Sequence, residues 1–217
     1  YYIMNSTFST NNKESIGGNL MSKKPNVKKI AVLSILSAIT VIVAFIPLKT
    51  LGLEITFTMI PVAVGAVLYG PSGGALIGGV FGAVSFLQCL GYSPFGAALL
   101  AINPFYTFIV CVPTRILAGL LAGLIYRLLK KGFKSDIPAL LVSSLAAPVF
   151  NTLFFMSSLT LFFYKTDYLQ GYVSGLGAAN PVTFILLFVG INGLVEIICG
   201  FAVAFPCAKA LSKYLKL

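Results

Sequence analysis

The chain contains no histidine and no tryptophan, and only five acidic residues stand against fifteen lysines and arginines. Without histidine it has neither the usual general base at neutral pH nor the commonest metal ligand. No two acidic residues share a helical turn, and no HExxH pattern occurs, so a hydrolytic or metal-assisted active site is not expected. GxxxxGK[ST] is also missing, which excludes a P-loop for ATP. The four cysteines, Cys89, Cys111, Cys199 and Cys207, lie in apolar surroundings without CxxC spacing. They read as small buried hydrophobes, not as a disulfide or zinc framework. No metal and no cofactor is expected. No inverted repeat is visible, which argues against a self-sufficient secondary transporter.

What the chain has in abundance is apolar surface. Hydrophobic residues make up 58% of its 217 residues, charged residues 9%, and mean hydropathy is +0.98. This composition belongs to a polytopic membrane protein. At about 20 residues per spanning helix, there is room for five or six spans with short loops. The net charge of +10 is clustered. Lys23, Lys24, Lys28 and Lys29 precede the first apolar segment; Arg127, Lys130, Lys131 and Lys134 share one loop; Lys209, Lys213 and Lys216 end the chain. Such clusters mark the cytoplasmic ends of spans, and the pattern argues against nucleic-acid binding.

Residues 1–28 form a polar segment with no apolar core for a signal peptide, expected to be disordered. Gly17-Gly18 shortly before Met21 is what a translated ribosome-binding site would give. Met21 is therefore the expected natural start, with residues 1–20 expected to be upstream or added sequence.

Residues 29–217 are expected to be an all-α membrane domain of six transmembrane helices with both termini cytoplasmic. The expected segments are 29–47, 55–69, 75–90, 104–129, 137–163 and 181–208. Pro61 predicts a tilt or break in the second. Gly70-Pro71-Ser72-Gly73-Gly74 reads as a tight turn. Residues 91–96 and 164–180 read as loops. The basic clusters put the first, third and fifth loops outside.

Arg115 stands alone in an apolar helix. An arginine near mid-bilayer costs about 2.5–3.5 kcal/mol on insertion scales and is kept for a partner, a cavity or a ligand. At 1.5 Å per residue, Arg115, Asn151 and Asn192 fall roughly 16–18 Å from the outer ends of the last three helices. Glu196 lies a turn deeper on the face of Asn192. A few polar groups at one level within apolar walls suit a pocket for a small polar ligand. Two readings stand. Arg115 and Glu196 form a structural ion pair with the asparagines bridging helices, or Arg115 offers its donor fork to a ligand carboxylate. Gln88 and Asn103 are further candidates. Tyr92, Phe95, Tyr106, Tyr168 and Tyr172 are candidate lids. Ala31, Ser34 and Ala38, with Ser37 beside them, put small residues on one face of the first helix. That face admits another helix closely, from the same chain or a partner. Glycines 73, 74, 78, 79 and 82 point to close packing within the chain.

The lysine-rich start, the small-residue first helix, the stretch from Ile55 through Pro61 and Tyr69-Gly70-Pro71 to Gly74-Ala75, and six spans in about 190 residues resemble the substrate-binding S components of energy-coupling factor (ECF) vitamin transporters. The resemblance covers residues 22–217. It implies a subunit in a prokaryotic cell membrane that captures a vitamin from outside, with a membrane coupling protein and two ATPases as partners. ATP hydrolysis would belong to those partners. The family's first-helix alanine-x-x-x-alanine motif is matched only by Ser34 and Ala38. Among subfamilies the chain is most similar to the pantothenate type, with Arg115 and Asn151 suited to a ligand carrying a carboxylate, an amide and hydroxyls. The lack of tryptophan weighs against a thiamine-type site; riboflavin, folate and biotin remain open. The other class of function is a stand-alone small-molecule permease or a membrane assembly factor.

Overall fold

A computed structural model describes residues 27–46, 48–50, 53–55, 57–133 and 135–215, with the backbone alone at 48–50, 53–55, 191, 192, 196, 199 and 215. Residues 1–20, expected to be upstream or added sequence, lie outside the described residues, as does all of the polar segment but Val27 and Lys28. Seven helices follow one another: α1 Val27–Ala44, α2 Met59–Gln88, α3 Pro94–Ile102, α4 Pro104–Gly132, α5 Asp136–Phe163, α6 Asp167–Gly175 and α7 Pro181–Leu215. Between α1 and α2, strands β1 Leu48–Thr50 and β2 Leu53–Ile55 pair antiparallel, with Leu48 opposite Ile55. The expected all-α chain therefore carries one small hairpin in its first connection. Among the described residues five helical stretches are long and apolar enough to cross a membrane, with α2 counted as one and α7 contributing Gly193–Tyr214.

α2 is itself folded back. Gly70 has φ +67°, a conformation that glycine adopts without the Cβ clash. A methyl placed on Gly65 would lie 2.9 Å from Ile77 Cγ1. In a straight helix twelve residues span about 18 Å, so residues 59–69 and 71–88 form a helical hairpin. The predicted turn at Gly70 is where the chain reverses. Pro61 breaks nothing, because it sits in the first turn of α2, where its missing N–H costs no helical bond.

The second half of α2 runs against α4 with backbone touching backbone. Methyls built on Gly74, Gly78 and Gly82 would run into the backbones of Gly119, Arg115 and Cys111–Val112, and one on Gly70 into the Arg127 side chain. From α4, methyls on Gly119 and Gly123 would strike Gly74 and Gly70. Each step of four along α2 thus meets a step of four back along α4, an antiparallel ladder closed by small residues as in membrane helix pairs. Of the glycines expected to serve internal packing, Gly74, Gly78 and Gly82 do so in this ladder and Gly73 within the α2 hairpin, while Gly79 makes only ordinary contact with the Ile116 side chain.

Alanines fill the layer behind this ladder: Ala63, Ala66, Ala122, Ala146, Ala147 and Ala204 cluster together. Ser143 Oγ crosses from α5 to donate to Ala122 O at 2.9 Å. Outward, large apolar side chains such as Leu161 and Leu186 are exposed. On membrane helices that is the lipid face. α1 rests on α2 through Leu33, Leu36, Thr40 and Ala44, while Ala31, Ser34 and Ala38 are exposed on its far side. No described helix packs on them.

The bundle has two unlike ends. At one, Lys29 lies over the Tyr69 ring, Lys130 over Tyr126 and Lys209 over Phe205. Lys130 also reaches Asp136 at 3.8 Å, an exposed pair of little energetic weight. At the other end, α3 and α6 cap the helices. α6 lies wholly within the expected 164–180 loop, and α3 begins inside the expected 91–96 loop. α3 starts where Ser93 accepts from Gly96 N at 3.4 Å with Pro94 at its first turn. In α6, Thr166 accepts from Leu169 N at 3.4 Å and Asp167 opens the helix. Both are N-terminal caps in their usual form.

Candidate functional site

Arg115 sits in the middle of α4 and is 6% exposed. Its backbone is pressed against Gly78. Its side chain runs toward the capped end, where Nη1 donates to Val110 O and to Thr114 Oγ1 at 3.1 Å. Thr114 Oγ1 in turn donates to Val110 O at 2.6 Å. Two rings flank the guanidinium: Phe155 of α5 at 4.6 Å from its centroid and Phe81 of α2 at 5.4 Å. A cation over an aromatic face is stabilised by about 0.5–2 kcal/mol, more where water is excluded. The arginine is thus stationed between α2 and α5, not toward lipid.

Asn151 stands one turn from Phe155 on the same face of α5, is 7% exposed, and its Oδ1 has no hydrogen-bond partner among the described residues. A buried acceptor left unmatched costs about 1–3 kcal/mol. Each of the two helices also contains a proline near its polar residue. Pro113 in α4 and Pro148 in α5 each lack the N–H that would bond the carbonyl four residues earlier. Both lie within a turn of Arg115 or Asn151. α7 passes alongside: a methyl on Gly193 would lie 3.9 Å from Thr152 Cγ2, and one on Gly200 3.3 Å from Pro148 Cγ. On the α7 backbone position 192 adjoins Gly193, and position 196 falls between the two glycines. The side chains of Asn192, expected in the same layer, and of Glu196, expected a turn deeper, lie outside the described residues.

The other predicted residues are divided between the site and the scaffold. Phe95, Tyr168 and Tyr172 come together with Phe188. Their centroids lie 5.9 Å (Phe95–Tyr168), 5.8 Å (Phe95–Tyr172) and 5.6 Å (Tyr172–Phe188) apart. The Tyr168 and Tyr172 hydroxyls are 3.3 Å apart, and burial pushes the Tyr168 hydroxyl up from its ordinary value of 10.0. This cluster roofs the capped end beyond Phe155. Tyr92 and Tyr106 do not join it. Tyr92 donates to Phe45 O at 3.1 Å and packs edge-on against Phe45 at 5.2 Å. Tyr106 stacks on Phe162 at 4.7 Å. Gln88 Nε2 donates to Ala44 O at 2.7 Å, so with Tyr92 it ties the end of α1 to α2. Asn103 Oδ1 accepts from Tyr106 N at 3.1 Å and caps α4. Phe81 and Phe155 are the residues that sequence reasoning missed. One of them, Phe155, lies a helical turn from Asn151, a spacing that could have marked it.

Gly70-Pro71-Ser72-Gly73-Gly74 matches the G-x-S-x-G spacing of a nucleophile elbow. Here it joins two helices, and Ser72 is exposed and donates to Tyr69 O at 3.2 Å. It is a turn. Among the described residues no three of His, Cys, Asp and Glu converge on a metal position.

A family model for the substrate-specific component of ECF transporters matches residues 28–208. The chain belongs to that family. It is therefore a membrane-embedded transporter subunit and not an enzyme. No curated protein gives a significant sequence match. Among solved structures, the S component for biotin from an ECF-type ABC transporter is similar at 16% identity and TM-score 0.59, covering 89% of this chain and 95% of that one. ThiT from Listeria monocytogenes is similar at 17% identity and TM-score 0.58, with 86% and 96% covered. At these identities the likeness speaks for the fold alone.

Proposed function

We propose that this S component captures a small vitamin bearing a carboxylate, with pantothenate favoured, from outside the cell. The ligand binds between α4, α5 and α7 beneath the α3–α6 roof. The observation that carries this reading is the pairing of a buried guanidinium with a buried amide oxygen, unmatched among the described residues, one turn from the ring that flanks the guanidinium. A fork of donors suits a carboxylate, and the Asn151 acceptor suits an amide N–H or a hydroxyl. Asn192 and Glu196 complete the layer from α7, with Glu196 able to hold Arg115 while the ligand is away. Gln88, Asn103, Tyr92 and Tyr106 support it from the scaffold.

Six spans follow when the α2 hairpin is counted as two arms, and both termini then lie on the basic, cytoplasmic side of a prokaryotic cell membrane. The coupling partner docks on the exposed Ala31, Ser34 and Ala38 face of α1, where small residues permit close helix approach. Two ATPases supply the energy.

The test is a binding screen of pantothenate, riboflavin, folate and biotin against the purified protein. Pantothenate should bind most tightly. Arg115→Ala should lower its affinity tens-fold or more, the order expected for a lost charge-assisted bond of about 1.5–3 kcal/mol. Unchanged affinity would make Arg115 structural. Failure to co-purify with ATPase subunits would favour a stand-alone permease.

A further inference from the structure

The geometry points to Gly78 as a positioning residue for Arg115, one that sets ligand selectivity from a helix that needs no ligand contact of its own. The inference rests on the carboxylate reading above. Four glycines of α2 face α4 at four-residue spacing, and the one facing Arg115 is Gly78. A Cβ there would overlap the Arg115 carbonyl oxygen, lie 3.0 Å from the Arg115 carbonyl carbon and 3.4 Å from Ile116 Cα. All three are main-chain atoms. No side chain can turn aside to make room, so α4 itself must move. Beside it, Gly79 faces only the Ile116 side chain, at 3.5 and 3.8 Å, which is ordinary contact.

The consequence is specific to the guanidinium. Among the contacts that set its place are the α4 backbone at residue 115, the Val110 carbonyl, the Thr114 hydroxyl, and the Phe155 and Phe81 rings. The rings belong to α5 and α2. Pushing the α4 backbone away from α2 moves the root of the side chain relative to both. A planar donor fork is sensitive to such displacement, because its two parallel bonds to a carboxylate need one orientation. Gly82 offers a milder version, one turn closer to the capped end. Its Cβ would lie 2.8 Å from Val112 Cα and 2.9 Å from Cys111 O, next to the carbonyl that receives Arg115.

The experiment compares full-length wild type with Gly78→Ala, Gly79→Ala, Gly82→Ala and Arg115→Ala. It measures affinity for pantothenate against pantothenol, and for biotin against its primary amide. Each pair differs at the carboxylate. A general packing lesion weakens both members alike, whereas a displaced guanidinium weakens the carboxylate alone. Gly78→Ala should lower the carboxylate preference about tenfold or more, with Gly79→Ala at wild-type preference. If Arg115→Ala loses the preference while a folded Gly78→Ala keeps it, the positioning role is wrong and the carboxylate reading stands. If Arg115→Ala keeps it, or wild type shows none in either pair, both fail. Should Gly78→Ala not survive purification, Gly82→Ala decides: a smaller selective loss supports the role, and an unchanged preference overturns it.

Discussion

The α2–α4 ladder and the aromatic roof solve the same packing problem in opposite ways. In the ladder, Gly74 and Gly119 approach so closely that a methyl on either would run into the other's backbone. At the roof, Phe95, Tyr168, Tyr172, Phe184 and Phe188 fill a wider gap with rings 4.9–5.9 Å apart. Backbone contact leaves no adjustable part, so the ladder fixes where Arg115 stands. Rings pack well in several tilts, and α3 and α6 are short helices held by side-chain caps. A fixed guanidinium under an adjustable cover is the division of labour that a binding subunit needs.

The two regions should respond differently to the same kinds of substitution. The largest effect is expected at Phe184, which is fully buried in the roof. Phe184→Ala should cost about 3–5 kcal/mol, read as a large drop in melting temperature in detergent. Phe184→Leu should cost less than about 1.5 kcal/mol, because rings and neighbours can settle around it. Next comes the ladder, where adding matter does the harm. Gly119→Ala should destabilise by about 1–3 kcal/mol, as its Cβ would meet the Gly74 backbone and Val62. Gly175→Ala, at the end of α6 with nothing within 4 Å, should change stability by no more than about 0.5 kcal/mol. Equal responses at positions 119 and 175 would remove the distinction between the two regions.

A smaller effect concerns pH. Burial, its neighbour Tyr172 and the bond between their hydroxyls raise the Tyr168 pKa in the folded protein above its unfolded value of 10.0. The folded state therefore holds this proton more tightly. Its contribution is fully present below about pH 10 and is lost as pH rises beyond that. Melting temperature followed upward from pH 9 should fall less steeply in Tyr168→Phe than in wild type. Identical slopes would show that Tyr168 does not couple to folding.

Much of this was readable from residue order. Apolar length fixed α1, α4, α5 and α7 to within a few residues at most ends, and the Gly-Pro-Ser-Gly-Gly run marked the reversal in α2. Arg115 drew attention by cost alone, since a buried cation needs a reason, and Asn151 by sharing its depth. The polar caps at Ser93 and Thr166 carried the signal for α3 and α6, but α3 is apolar all round and α6 is broken up by Gly and Tyr, so neither nine-residue helix gives much periodicity to read. Gln88 could not be assigned from sequence, because its partner Ala44 lies 44 positions away. The same limit hid Phe81 and Phe155, which are ordinary apolar residues until the fold places them across the guanidinium. The glycine spacing was visible on α2; its register against α4 was not.

The most direct measurement is a crystal structure of the protein with pantothenate bound. Both ligand carboxylate oxygens should lie about 2.7–2.9 Å from Arg115 nitrogens, with the Asn151 amide bonded to the ligand as well. A vitamin seated elsewhere, with no contact to Arg115, would contradict the account.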